Sequence, residues 1–256
     1  MKVIIASNEA DIARMVADDI QSVFAAKPDG VLGLATGSSP LAVYDELGTR
    51  VASGALSLAQ AKAFQLDEYV GLPQGHEQTY RYVINDIFAS KVDIDPANVH
   101  VPNGAAADPA QAAIDYEQAI MQAGGVDYQI LGIGSDGHIA FNEPGGSLSS
   151  RTHVGGLTAQ SRQDNARFFD GDISRVPTHC ITQGLETIMA ARQIGMVILG
   201  AGKAQAAREL VEGAVSARWP ATILQFHPNA SVYLDEEAAS QLELIDFYRE
   251  VGVQGN

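Results

Sequence analysis

Short apolar, β-branched runs alternate with longer helical patterns along the chain, and this alternation constrains the fold more than any other feature. "KVIIA" precedes a helical pattern over Glu9–Phe24, and "VLGLA" precedes another with Ser39 as its cap and Pro40 at its first position. "AKAFQL" runs into Asp67 and is followed by the helical "HEQTYRYVINDIF"; "VHVP" leads to "DPAQAAIDYEQAIMQ", and "YQILGIG" to a polar loop. "QIGMVILG" is followed by "KAQAARELVEG", then the late strand "SVYL" and a closing helix "LELIDFYREV". Strands apolar on both faces, each followed by a helix, imply a parallel sheet covered on both sides. The predicted fold is therefore α/β: one doubly wound, Rossmann-like, mostly parallel sheet with helices on both faces. No linker or repeat divides residues 1–256, which are read as a single domain. Residues 149–178 break the alternation, being polar and rich in Arg, Gly and Asp, and read as a surface excursion with a possible mobile lid.

Charge narrows the partners. Sixteen Lys+Arg against 31 Asp+Glu give a net charge of −15, which argues against nucleic acid and anionic membranes. A few well-placed basic residues gain weight in such an acidic chain. The single cysteine, Cys180, allows no internal disulfide and reads as a packed core thiol. No apolar stretch nears the ~20 residues of a membrane span, and the start has no signal-peptide pattern, so a cytoplasmic location is expected.

Ligands of open parallel sheets bind beyond the carboxyl ends of the strands, and four such ends carry unusual residues. In "LATGSSP", the backbone N–H groups of Gly37 and Ser38 and the hydroxyls of Thr36 and Ser38 face a helix start, which favours an anion; alone, the stretch is equally an ordinary capped turn. "GAGKA" sets Lys203 at another helix start, where the dipole disfavours a cation unless an anion joins it. It is no nucleotide P-loop, since Val197 and Ala204 stand where that motif needs Gly and Ser or Thr. "LDEYVGLP" places Asp67 and Glu68 side by side, suggesting a base in a partly dry cleft or simply a turn cap.

"GIGSDGHIAFNEP" is the fourth. Its Gly132, Gly134 and Gly137 match a dinucleotide fingerprint, but Pro144 and two glycines forbid the long helix that such a site requires. His138 has no second histidine at a ligand spacing, so no metal is expected. No G-x-S-x-G elbow supplies a nucleophile for a hydrolase triad. What remains is a histidine tuned by Asp136 and Glu143, a proton relay near neutral pH.

With these stretches in hand, the chain resembles the glucosamine-6-phosphate deaminases over nearly its full length, through "LATGSSP", "LDEYVGLP", "GIGSDGHIAFNEP", "SRTHVGGLT", "ARFFD", "LGAGKA" and "LQFHP". The 6-phosphogluconolactonases are similar in the "DGH" stretch but lack "FNEP". The resemblance implies conversion of D-glucosamine 6-phosphate and water to D-fructose 6-phosphate and ammonium, with no cofactor or metal. It implies Asp67 as the base moving a proton between C2 and C1, and His138 as the acid–base that opens the ring, with Asp136 and Glu143 as its partners. Thr36, Gly37 and Ser38 would hold the phosphate together with Arg167 and Lys203. The partner implied is a small sugar phosphate, for a monomer or a homo-oligomer. Alternatives are a lactonase-like hydrolase and a non-catalytic sugar-phosphate sensor; the sensor would need a DNA-binding module, and no basic helix-turn-helix precedes residue 30.

One stretch departs from the family pattern. Allosteric members, activated by N-acetylglucosamine 6-phosphate, carry basic residues after "SRT", where this chain has His153 and Gly155. Only Arg151 remains, so hyperbolic kinetics and little activation are expected, and the associated hexamer is in doubt.

Overall fold

A computed structural model describes residues 1–253. Its main sheet is built from β1 (Lys2–Ala6), β2 (Val31–Leu34), β3 (Lys62–Gln65), β5 (Val99–His100), β6 (Tyr128–Leu131), β9 (Gln193–Ile198) and β10 (Ala230–Asp235). The strand order is β1-β10-β9-β6-β2-β3-β5, and every pairing is parallel. The predicted sheet and its doubly wound character are present.

Alternate residues of the strands feed two cores. One face carries Leu32, Leu34, Tyr128 and Ile130 under α1 (Glu9–Ala26), α2 (Leu41–Ala52) and α3 (Tyr80–Ile87). The other carries Val31, Leu131, Met196 and Val232 under α4 (Pro109–Gln122), α6 (Leu185–Met189) and α7 (Ala204–Glu212). Burial on both sides explains why these strands lack polar alternation. From β2 the chain winds outward to β3 and β5, and from β6 it winds the other way to β9 and β10. The winding reverses between β2 and β6, and such a switch point opens a crevice at the strands' carboxyl ends.

The small second sheet was not foreseen. Its order is β4-β8-β7, antiparallel, from β4 (Asp67–Tyr69), β7 (His153–Gly156) and β8 (His179–Thr182). The polar excursion over 149–178 is thus partly built into the fold: β7 pairs with β8, and Leu157, Phe169 and Val176 pack with Tyr69, Phe141 and Cys180. α5 (Ala159–Asn165) and two 3₁₀ turns complete the segment. Cys180 is a buried core thiol, as expected. The last helix described is α8 (Ile245–Val253), and among the described residues no helix is long and apolar enough to cross a membrane.

Helix α2 starts one residue later than expected. Pro40, in αR geometry, occupies the capping position in place of Ser39, and no side chain caps the helix. Helix α3 is shorter than its apolar pattern, because Thr79 takes the N–H of Tyr82 and fixes the start at Tyr80.

Candidate active site

The crevice is a cavity of about 600 Å³ lined by Thr36, Gly37, Ser38, Asp67, His138, Arg167 and Lys203, among others. Seven of the nine residues singled out from sequence therefore face one space. Asp136 and Glu143 do not line it; they stand behind His138.

Asp67 sits where the chain leaves β3 and enters β4, and it is 5% exposed. Burial pushes its carboxyl up to about 7; the Gln65 amide and His138 pull it down, while the neighbouring Glu68 charge pushes it up. A carboxylate poised there can exchange protons near neutral pH. Its neighbour has a different job. Glu68 is buried and accepts the backbone N–H groups of Tyr69, Tyr80 and Arg81, pinning the first turn of α3 to β4. Burial raises its carboxyl, and these three donors counteract the rise. Of the adjacent pair, one carboxylate faces the cavity and the other is a structural cap.

The loop after β6 is shaped around one imidazole. A Cβ on Gly134 would lie 2.3 Å from the His138 ring, so the ring packs directly on bare backbone. Gly137 has φ +85, and a side chain there would also strike Trp219. Two of the three glycines that imitate a dinucleotide fingerprint are therefore seats for His138 and Trp219, and the third, Gly132, lies against Ser39. The loop then makes a tight turn, with the Asn142 N–H donating to the Ile139 carbonyl, and Ala140 takes φ 52. The Asn142 amide donates to the Ile139 carbonyl within this turn and to the carbonyl of Gln183, the residue that follows β8.

Asp136 Oδ1 lies 2.7 Å from His138 Nδ1 and accepts the His138 backbone N–H at 3.2 Å. Burial would raise Asp136, but the adjoining imidazole and backbone N–H outweigh it and hold the carboxyl below its ordinary value. Glu143 Oε2 is 3.8 Å from the same nitrogen. Its other oxygen accepts from the hydroxyl of Ser161, and at 3.4 Å from Thr158 N–H and Oγ1, so α5 is bonded to the relay. Among the described residues, neither Nδ1 nor Glu143 Oε2 has an aligned hydrogen-bond partner. Ligand atoms of the three side chains lie within 4.8 Å of one another, a spacing that a divalent cation could also span.

The anion end is built from Thr36–Ser38 after β2, with Gly37 at φ +93, and from two basic side chains. Burial lowers Lys203, Asp164 and Asp136 pull it back up, and Arg167 pushes it down again. A bound dianion would relieve that crowding of positive charge. The Arg167 guanidinium lies 4.7 Å over the Phe168 ring, which fixes its plane.

Sequence reasoning missed Gln65, the aromatic wall of Tyr69, Tyr80 and Phe141, and Ser161. Gln65 left a readable signal: an amide in an apolar strand, two residues before Asp67 and so on the same face. Ser161 left none.

Comparison with known proteins identifies the family of the chain. The family described as glucosamine-6-phosphate isomerases/6-phosphogluconolactonase matches residues 6–233. A glucosamine-6-phosphate deaminase of Beutenbergia cavernae is 60% identical over 98% of this chain and 96% of its own length. The corresponding protein of Mycolicibacterium smegmatis is 58% identical over the same shares. A solved monomeric glucosamine-6-phosphate deaminase superposes with a TM-score of 0.91 at 40% identity, over 94% of this chain and 99% of that one. A 6-phosphogluconolactonase from Trypanosoma cruzi, at 18% identity and a TM-score of 0.76 over 94% and 97%, shares the fold. The chain belongs to the glucosamine-6-phosphate isomerase/6-phosphogluconolactonase family.

Proposed function

We propose that the protein is a deaminating aldose–ketose isomerase, converting D-glucosamine 6-phosphate and water to D-fructose 6-phosphate and ammonium. One observation carries the reading: a buried carboxylate and a separate histidine relay, from different strand ends, line the same cavity as an anion cradle. The Gly37 and Ser38 N–H groups and the Thr36 and Ser38 hydroxyls hold the phosphate, with Lys203 and Arg167 supplying charge.

His138, oriented by Asp136 and Glu143, takes the proton from O1 and delivers it to O5 as the C1–O5 bond breaks. Asp67 then removes the C2 proton while O1 takes a proton from the substrate's ammonium group, giving an enolamine, and Asp67 returns its proton to C1. Water hydrolyses the resulting iminium at C2, releasing ammonium and leaving the ketose. Each proton transfer is worth roughly 10²–10⁴-fold. The chain's acidity is no obstacle, because one dianion needs only two cations and a helix terminus. Amino-sugar catabolism in the cytoplasm is the setting such a reaction implies.

The test is a coupled assay for fructose 6-phosphate and ammonium, run with and without a chelator. Turnover is expected in both. Hydrolysis of 6-phosphogluconolactone without ammonium release would place the chain with the lactonases instead, and loss of turnover on chelation would give the Asp136–His138–Glu143 cluster a metal to hold.

A further inference from the structure

Gln65 closes β3 and is completely buried. Its backbone carbonyl is held twice, accepting from the Tyr116 hydroxyl at 2.7 Å and from Gln183 Nε2 at 3.1 Å. Its side-chain Nε2 donates to Asp67 Oδ1 at 3.2 Å, and among the described residues no other hydrogen bond reaches that carboxylate. The other end of the amide, Oε1, is buried with no partner. An unpaired buried acceptor is destabilising, so a reason is needed for its persistence.

The chemistry of a buried base supplies one. Asp67 must exist in two forms, and each needs the opposite hydrogen-bond polarity: a carboxylate needs a donor, and a carboxylic acid needs an acceptor for its O–H. A side-chain amide carries both, exchanged by a half-turn about its last torsion. The tether also holds one carboxylate oxygen and leaves the second to reach the substrate. A base serving two adjacent carbons needs such fixing, because small misplacements are expensive.

We propose that Gln65 is a positioning residue that aims Asp67 and reverses its hydrogen-bond polarity as Asp67 gains and loses a proton. The inference rests on Asp67 being the carbon base, and the Asp67→Asn variant separates the two claims: near-normal turnover there would overturn the base assignment itself. With that established, Gln65→Met keeps the volume and removes both polar ends. Its kcat should fall about tenfold and the acid limb of kcat/KM should move up by about one pH unit, since a donor to a charged group is lost. KM should stay within about threefold, because the phosphate cradle is untouched. Gln65→Glu should move the limb further, as two adjoining carboxyls resist sharing charge. A purely structural role would lower thermal stability and leave the limb in place; that result overturns the proposal. In the unaltered protein, the Gln65 side-chain amide resonances should titrate with the midpoint of the acid limb. A flat titration would overturn the proposal even if neither variant folds.

Discussion

At one corner of the site Asp67 is withdrawn from water, with a single hydrogen bond to its carboxylate among the described residues and a neighbouring acid that raises it further. At the other corner Asp136, His138 and Glu143 remain partly exposed and face one another, and the carboxylate of Asp136 is held down rather than up. The difference matches two tasks. Removing a proton from carbon needs a strong base, and desolvation makes one from an ordinary aspartate. Moving a proton between sugar oxygens needs a group that resets readily, and an imidazole near solvent does so. The first corner stores the cost of a buried charge in the folded state.

Substitution at Asp67 breaks the comparison most sharply. Asp67→Asn should reduce turnover by at least about 10³-fold while leaving binding of a sugar-phosphate analogue largely intact. Stability should change in the opposite direction. The native carboxyl at about 7 lies above its ordinary 3.8, so the folded protein binds the proton more tightly than the unfolded chain. Stability from this group is therefore present below about pH 4 and lost as pH rises through 7. Above pH 7 the ionised carboxylate costs up to about 4 kcal/mol, which the asparagine avoids. Thermal unfolding at pH 8 should show the variant more stable than the parent, with the gain gone near pH 4. Equal melting temperatures at pH 8 would mean that Asp67 is not desolvated. The same rise places the acid limb of kcat/KM near pH 7.

At the second corner the effect on activity should be smaller. His138→Gln should cost about 10²–10³-fold in kcat with the ring-closed substrate. Without the imidazole the Asp136 carboxyl should rise toward its ordinary value, so the stability it contributes above its unfolded pKa should shrink, the opposite sign to the change at Asp67. Comparable stability changes for His138→Gln and Asp67→Asn would erase the distinction between the corners.

The anion end should respond through binding. Lys203→Ala or Arg167→Ala should raise KM by about 10–100-fold, since each removes a charge-assisted contact to a dianion. Unphosphorylated glucosamine should be a very poor substrate. Comparable kcat/KM for glucosamine and its 6-phosphate would refute the phosphate assignment.

What was legible in the sequence follows from physics that acts locally. Strands buried on both faces announce themselves as apolar runs, and their carboxyl ends locate Thr36, Asp67, His138 and Lys203 without any tertiary information. The second sheet could not be read this way. Its strands have three or four residues, and "HVGG" is neither apolar nor alternating, because β7 is an edge strand only partly buried. Glu68 and Asp67 are likewise indistinguishable in sequence; only the arrival of α3 overhead makes one a cap. The Ser161 contact to Glu143 depends on how α5 folds back, which no short-range pattern encodes.

Regulation should show the smallest effect, ideally none. An effector sugar phosphate gains coupling only through contacts that differ between two states. In the stretch after Ser150, Gly155 has no side chain, and His153 holds its Nδ1 2.8 Å from the Arg151 carbonyl. Arg151 is the remaining cation, and it is already engaged: Nη1 reaches Glu117 at 3.1 Å and Nη2 reaches Glu186 at 2.7 Å. Glu117 also takes the Thr152 N–H and the hydroxyls of Thr152 and Thr187, which together hold its carboxyl low despite partial burial. An anion arriving here would have to compete with two carboxylates for the guanidinium. Substrate saturation should therefore be hyperbolic, and N-acetylglucosamine 6-phosphate should change the half-saturating concentration by less than about twofold, a coupling under about 0.5 kcal/mol. Sigmoidal saturation that turns hyperbolic on adding that compound would show that cations elsewhere in the chain build the effector site.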